Sequence, residues 1–289
     1  MTATAGPCVL RAPVTVTARN GRAVTAVVPV RAEEPVLAGH YPGFPVLPGV
    51  CVIECVDRAA LAAPPGTVEL AAIDSARFLG PVHPGDELTV ELVWSAEGGD
   101  WCCRAEASTV RGRTATVRLR YRDRPPEPEA AGPRGLEAGA RLGVDEITRL
   151  IPHRPPMLLL DRVDGLVPGE RLTATRTVRA DEPWCAGRSA YPAVLVVESW
   201  CQAAGVLAVY DAPGLSAESG RVMLLGGVQG VELAGPVSPG DRVEHLVRLS
   251  ASATDAGVLT GESCVDGRVV LRVRRIVVAM RPAAELEVG

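Results

Sequence analysis

Two residue types that proton transfer needs stand close together near the N-terminus. His40 sits in Gly39-His40-Tyr41-Pro42-Gly43, and Glu54 follows fourteen residues later in an otherwise apolar run. An imidazole titrates near neutrality and a carboxyl group can hold or release a proton, so the pair suits general acid–base chemistry. Pro42, Pro45 and Pro48 fix φ and remove backbone donors, so the histidine segment is read as a loop. Pro48-Gly49 then opens a helix read over Val50–Ala63, interrupted by Glu54, Asp57 and Arg58. An acid inside a buried helix is costly unless it has a partner or a task.

A second version of this stretch follows at Gly187–Ala208. Its helix, read over Ala193–Val209, carries Glu198 and Gln202 one turn apart and so on one face. Its loop is short: Gly187 is followed by Arg188-Ser189-Ala190-Tyr191-Pro192. No histidine lies between His153 and His245, so this loop holds no base.

The surrounding elements also repeat. Asn20-Gly21 predicts a type I′ hairpin between two β-branched runs within Val9–Val30. Further strands are read before and after His83-Pro84-Gly85-Asp86, then over Trp101–Val110 and Arg113–Arg122. In the second unit a short helix from Val144 ends before Pro152. Strands follow over Leu158–Val163, Arg171–Val178, Val258–Val265 and Val269–Met280. Glu33-Glu34-Pro35 is echoed by Asp181-Glu182-Pro183, and Pro84-Gly85-Asp86 by Pro239-Gly240-Asp241. One long helix beside several antiparallel strands, twice, is an α+β plan. Residues 1–124 form the first domain and 141–289 the second; 125–140, rich in Pro, Ala, Gly and Glu, read as a linker.

Composition narrows the classes of function. The chain has 289 residues, 47% hydrophobic and 22% charged, enough for a packed core. Net charge −4 and the lack of a long basic run give no electrostatic reason to bind nucleic acid. No stretch reaches the roughly 20 apolar residues of a membrane span. The N-terminal residues lack a signal-peptide pattern, so a reducing cytoplasm is expected. Cys51, Cys55, Cys102, Cys103 and Cys201 are read as core thiols, because no His/Cys partners stand at zinc spacing.

His40-Tyr41-Pro42-Gly43, the following Pro-x-x-Pro-Gly and the helix acid resemble the FabZ/FabA type of (3R)-hydroxyacyl-acyl-carrier-protein dehydratase. The second unit resembles it through Ile151-Pro152-His153-Arg154, Leu158–Val163, Glu182-Pro183-Trp184, Glu198 and Gln202-Ala203-Ala204-Gly205. The resemblance implies a hotdog fold in each unit, an antiparallel sheet wrapped around one long helix. Two in one chain make a double hotdog, as in polyketide synthase dehydratase domains. It also implies active sites across the interface, with histidine from one unit and the acid from the other.

Two unlike sites are then expected. One combines His40 and Gly49 with Glu198 and Gln202. The other combines Glu54 and Arg58, which replaces the family's glutamine, with the Arg188 loop, and has lost its base. In the first, His40 removes an α-proton and Glu198 protonates the leaving hydroxyl. The Gly49 N–H stabilises the thioester oxygen, and Gln202 orients Glu198. An apolar tunnel is expected to raise the Glu198 pKa above the carboxylate's usual ~4.3. Glu54 is expected to be neutralised by Arg58, with Arg188 within reach. His153 is expected to serve structure or the surface, and His83 and His245 to be incidental. Arg77-Phe78 is a possible carrier contact; Trp184 and Trp200 read as core or tunnel lining.

The resemblance implies no metal and no redox cofactor, the substrate riding on the phosphopantetheine of an acyl carrier protein. It further implies ketosynthase and ketoreductase partners of the same pathway. Two other readings stay open: a hydratase of coenzyme A esters, and a non-catalytic hotdog that binds acyl carriers or steadies a partner. Thioesterase activity fits the spacing less well.

Overall fold

The structure is a computed structural model that describes residues 9–123, 129–132, 139–185, 189–211, 221–253 and 256–282. The first half contains strands β1 (Thr15–Asn20), β2 (Ala23–Pro29), β3 (Glu69–Phe78), β4 (Glu87–Glu97), β5 (Asp100–Thr109) and β6 (Gly112–Arg122). Between β2 and β3 lie a short helix α1 (Pro35–Gly39) and the long helix α2 (Gly49–Leu61). The second half contains β7 (Ala140–Leu142), α3 (Val144–Leu150), β8 (Arg162–Val167), β9 (Arg171–Thr177) and α4 (Ala193–Val209). Strands β10 (Arg221–Leu233), β11 (Arg242–Ala253), β12 (Ala256–Val265) and β13 (Arg268–Pro282) complete it.

Each half wraps its strands around one helix, α2 or α4, which gives the double hotdog. The half-sheets expected to be separate join edge to edge. β3 pairs antiparallel with β10, from Gly227 opposite Arg77 to Glu232 opposite Ala72. The result is one 13-stranded sheet in the order β1-β2-β4-β5-β6-β3-β10-β13-β12-β11-β9-β8-β7. The long helices pack on each other inside it. α4 is apolar nearly all round, as a helix enclosed on all sides must be. No helix among the described residues is long and apolar enough to cross a membrane.

The duplication extends to atoms. Asp86 Oδ2 accepts the His83 N–H at 2.8 Å, and Asp241 Oδ2 accepts the Ser238 N–H at 2.8 Å. Gly85 (φ +90°) and Gly240 (φ +100°) both occupy the left-handed region that their turns require.

Local readings differ from the structure in three places. The first hairpin pairs Asn20 with Ala23, so Gly21-Arg22 is its turn and Gly21 takes φ +58°. Strand β8 starts only at Arg162, because Met157–Leu160 leaves the sheet to run along α4. There the Leu159 carbonyl accepts from Ser199 Oγ at 2.6 Å. Within the expected linker, Ala131 N–H donates to the Gly267 carbonyl (2.8 Å) and Val269 N–H to the Glu129 carbonyl (2.9 Å), so this piece lies against β13.

Candidate active site

His40 follows α1 directly, its N–H closing that helix on the Val36 carbonyl at 3.0 Å. Its Nδ1 donates to the Val46 carbonyl at 2.9 Å. A carbonyl can only accept, so Nδ1 carries the hydrogen and Nε2 keeps its lone pair in the neutral ring. Burial lowers the His40 pKa to about 4, with His153 acting in the same direction against Glu198 and Val46. Next to it, Tyr41 holds φ +56°, a strained conformation for a non-glycine residue. The Tyr41 hydroxyl donates to the Met223 carbonyl on β10, which ties the loop to the second half.

Glu198 lies in the middle of α4 and is buried. Its Oε1 meets His153 Nε2 at 3.2 Å and accepts from Gln202 Nε2 at 3.1 Å. The Gln202 amide also donates to the Met157 carbonyl and accepts from the Leu159 N–H, both at 2.8 Å. One glutamine thus fixes both the acid and the segment crossing it. The expected rise in the Glu198 pKa is not found. Burial pushes it upward, but the His153 hydrogen bond, the two histidines and Gln202 outweigh burial and hold it well below the usual carboxylate range.

The same geometry corrects the reading of His153. It is neither surface nor simple scaffold: it is 4% exposed and bonded to Glu198. Its ring centroid lies 5.2 Å from that of His40 and 5.5 Å from that of Tyr41. One ring nitrogen from each histidine and one Glu198 carboxylate oxygen fall within 4.8 Å of one another. These three side chains are also the set among the described residues that could ligate a metal ion. A usable signal was present in the sequence, since a helix acid without a loop histidine in its own unit needs another partner, and His153 is the preceding histidine.

All of these groups open on a cavity of about 480 Å³. Gly49 lines it at the first position of α2, where helix N–H groups have no intrahelical acceptor. A side chain at Gly49 would stand 3.0 Å from the Phe78 ring, so only glycine fits without displacing it. Phe78, which ends β3, also lines the cavity. So does Cys201, read from sequence as a core thiol. Val46, Leu47, Val52 and Leu225 supply apolar walls. Trp184 and Trp200 are buried, with indole N–H groups on Glu182 and on the Leu246 carbonyl.

Glu54 and Arg58 stand apart from this cavity. Glu54 accepts the backbone N–H groups of Val9 and Leu10. Arg58, expected to pair with it, donates instead to the carbonyls of Leu10 (3.2 Å) and Ala12 (2.7 Å). Burial raises Glu54 to about 7, opposed by the two N–H groups and by the charge of Arg58. Glu34 takes the next two N–H groups, those of Arg11 and Ala12, at 2.8 Å each. Both acids therefore serve to hold the segment Val9–Ala12. Arg188 lies outside the described residues.

Comparison with known proteins matches the two halves to different family models. Residues 16–113 match the ApeI dehydratase model, and residues 151–274 the FabA-like domain. The 3-hydroxyacyl-[acyl-carrier-protein] dehydratase FabZ of Roseiflexus castenholzii is 36% identical over 133 residues, 45% of this chain and 90% of that protein. The chain belongs to the FabZ dehydratase family. The FabZ of Oleidesulfovibrio alaskensis is 35% identical over 137 residues, 46% of this chain and 88% of its own length. The dehydratase domain of a mycocerosic acid synthase-like polyketide synthase superposes with a TM-score of 0.72 at 16% identity, covering 98% of this chain and 99% of that one. These two FabZ matches cover under half of the chain, whereas the double-hotdog likeness spans nearly all of it.

Proposed function

We propose that this enzyme dehydrates a 3-hydroxyacyl thioester to the 2-enoyl thioester, with one active site per chain. The first unit, residues 1–124, supplies His40 and Gly49; the second, residues 141–289, supplies Glu198 and Gln202. The observation that carries this reading is that His40 and Glu198, from opposite halves, face each other in one buried cavity. His40 is neutral above about pH 4, with Nε2 free to take the α-proton. As that proton leaves, charge grows on the thioester oxygen, and the Gly49 N–H at a helix start offsets it through hydrogen bond and dipole. Glu198 attends the departing hydroxyl, fixed by Gln202. Proton transfers alone complete the elimination.

The apolar walls suit an acyl chain. The FabZ relatives are named for acyl-carrier-protein substrates. The thioester is accordingly proposed to arrive on a carrier's phosphopantetheine arm, after a ketosynthase and a ketoreductase have built the hydroxyacyl group. The double-hotdog architecture suits polyketide assembly better than housekeeping fatty-acid synthesis. Free thiols at Cys51, Cys55, Cys102, Cys103 and Cys201 agree with a reducing, cytoplasmic setting.

The test is dehydration of 3-hydroxyacyl thioesters of an acyl carrier protein, with coenzyme A esters in parallel and the enoyl product followed by mass. Loss of about 10²-fold or more in kcat is expected for His40→Ala and for Glu198→Gln. A wild-type chain that binds acyl carriers yet converts none of these substrates would instead support a carrier-binding role. Faster turnover of the coenzyme A esters would assign the chain to that substrate class.

A further inference from the structure

The proposed elimination leaves one proton without a source. Glu198 must protonate a departing hydroxyl, yet its surroundings favour the carboxylate. Two buried histidines show where the proton can come from. His245 has both ring nitrogens engaged, on Ser199 Oγ at 2.7 Å and Ser263 Oγ at 2.8 Å. That is how a histidine serving the scaffold satisfies its polar atoms. His153 is as deeply buried, but only Nε2 is engaged, and its partner is Glu198. Its Nδ1 has no hydrogen-bond partner among the described residues. An unpaired buried polar atom costs about 1–3 kcal/mol, so packing alone gives no reason for a histidine here.

We propose that His153 is the positioning residue that supplies Glu198 with its proton: the two share one proton across the Nε2···Oε1 contact, and Glu198 passes it to the leaving hydroxyl. This rests on the dehydratase reading above. In the step, the α C–H bond breaks and its proton goes to His40 Nε2. The electron pair forms the C=C bond as the β C–O bond breaks. The departing oxygen takes the shared proton and leaves as water. His40 is then imidazolium, His153 is neutral and Glu198 is carboxylate. One ring nitrogen of each histidine lies within 4.8 Å of the other, a span that one water can bridge, so the product water can return the proton from His40 to His153. Protons therefore balance over the cycle without an outside donor.

Among the described residues, His40 and Tyr41 face the pair from the first-half loop, and the thiols of Cys51 on α2 and Cys201 on α4 lie close enough to Glu198 to feel its charge. Arg154, next in sequence, turns its guanidinium to the carbonyls of Ile151 and His153 at 2.9 and 2.8 Å. It neutralises neither partner directly.

The decisive variant is His153→Gln in the full chain, since glutamine can donate to Glu198 but cannot give up a proton. It is compared with wild type and Glu198→Gln on a 3-hydroxybutyryl thioester of an acyl carrier protein. Expected are a fall in kcat of about 10–100-fold, KM within about two-fold, and loss of one ionisation from the pH profile of kcat. A His153→Gln enzyme with wild-type kcat and pH profile overturns the proposal while leaving the dehydratase reading intact. Inactive wild-type enzyme overturns that reading, and the proposal with it. If the glutamine variant does not fold, NMR of the histidine-labelled wild type decides. A strongly downfield exchangeable proton that is lost in Glu198→Gln supports the shared proton; its absence in the wild type overturns it.

Discussion

The Arg154 N–H donates to the Gly39 carbonyl at 2.9 Å, joining the residues beside His153 and His40 across the two halves of the chain. The segments touch so closely that a Cβ at Gly39 would stand 2.1 Å from the Arg154 carbonyl oxygen and 2.7 Å from the Met157 nitrogen. Backbone atoms cannot swing aside as a side-chain tip can. Gly39→Ala must therefore push the two histidine segments apart. A misplacement of about 1 Å at a reacting centre costs on the order of 10²-fold, so kcat/KM should fall by about that factor. Gly66→Ala, where an added Cβ meets nothing within 4 Å, is the matched control and should leave turnover unchanged. Steady-state rates of the two variants on one thioester check this, and an active Gly39→Ala enzyme would show that the junction tolerates movement.

Acid should weaken the fold through His40. In the unfolded chain this histidine takes up a proton near pH 6.5, but in the folded chain only near pH 4. Between those values the unfolded state binds more protons, so stability rises with pH and falls on acidification through the window. His40→Asn removes the difference. Between pH 7.5 and pH 4.5 the wild type should lose about 2–3 kcal/mol more than His40→Asn loses. Urea unfolding at both pH values measures it. Equal losses would mean that the folded environment of His40 does not disfavour its charge.

Much of this arrangement is legible in the amino-acid order, because local chemistry dictates it. The prolines around His40 force a loop, Pro48-Gly49 starts a helix, and the two Pro-Gly-Asp turns announce the duplication. The acid-x-x-x-Gln spacing on α4 places Glu198 and Gln202 on one face. What escaped depends on contacts distant in sequence. His153 meets Glu198 forty-five residues away, and no local period encodes that pairing. The Glu198 pKa departs from expectation for the same reason, since its burial is legible in the apolar residues flanking it and the imidazole opposing that burial is not. Leu158–Leu160 looked like strand because it is apolar, but its backbone is claimed by Ser199 and Gln202. Helix i,i+4 spacing suggested Arg58 as the partner of Glu54, whereas the N-terminal backbone satisfies both.

That N-terminal clasp gives Glu54 a structural task, which its amide should expose. Glu54→Gln removes the charge that accepts the Val9 and Leu10 N–H groups and leaves one acceptor oxygen for two donors. A buried donor without a partner costs about 1–3 kcal/mol. The loss should be local, freeing Val9–Ala12 while the cavity lined by His40 and Glu198 keeps its shape. Trypsin should then cut after Arg11, whose side chain is exposed, faster than in the wild type. Turnover should stay within about two-fold of wild type, because Glu54 lies outside the reacting cavity. A large loss of kcat with the fold intact would reveal a second working centre.

Gln202 is the most heavily committed side chain of the site, and its replacement by glutamate separates its two duties. The wild-type amide donates to both the Met157 carbonyl and Glu198 Oε1, while its oxygen accepts from the Leu159 N–H. Gln202→Glu keeps the acceptor and loses both donors, and it sets a second carboxylate at the 3.1 Å contact with Glu198. Like charges so close raise the pKa of one carboxyl group well above its unfolded value of ~4.3. The folded variant then binds more protons than the unfolded chain over the window above that value, so its stability should rise as pH falls and the new carboxyl becomes a donor. Gln202→Met, of similar length, loses all three hydrogen bonds but adds no charge. Near neutral pH the glutamate variant should be the less stable of the two, and on acidification to about pH 5 the order should reverse. Denaturant titrations at both pH values test this. If the order is unchanged, the two carboxylates have moved apart, and Gln202 holds the Met157–Leu159 crossing rather than the acid.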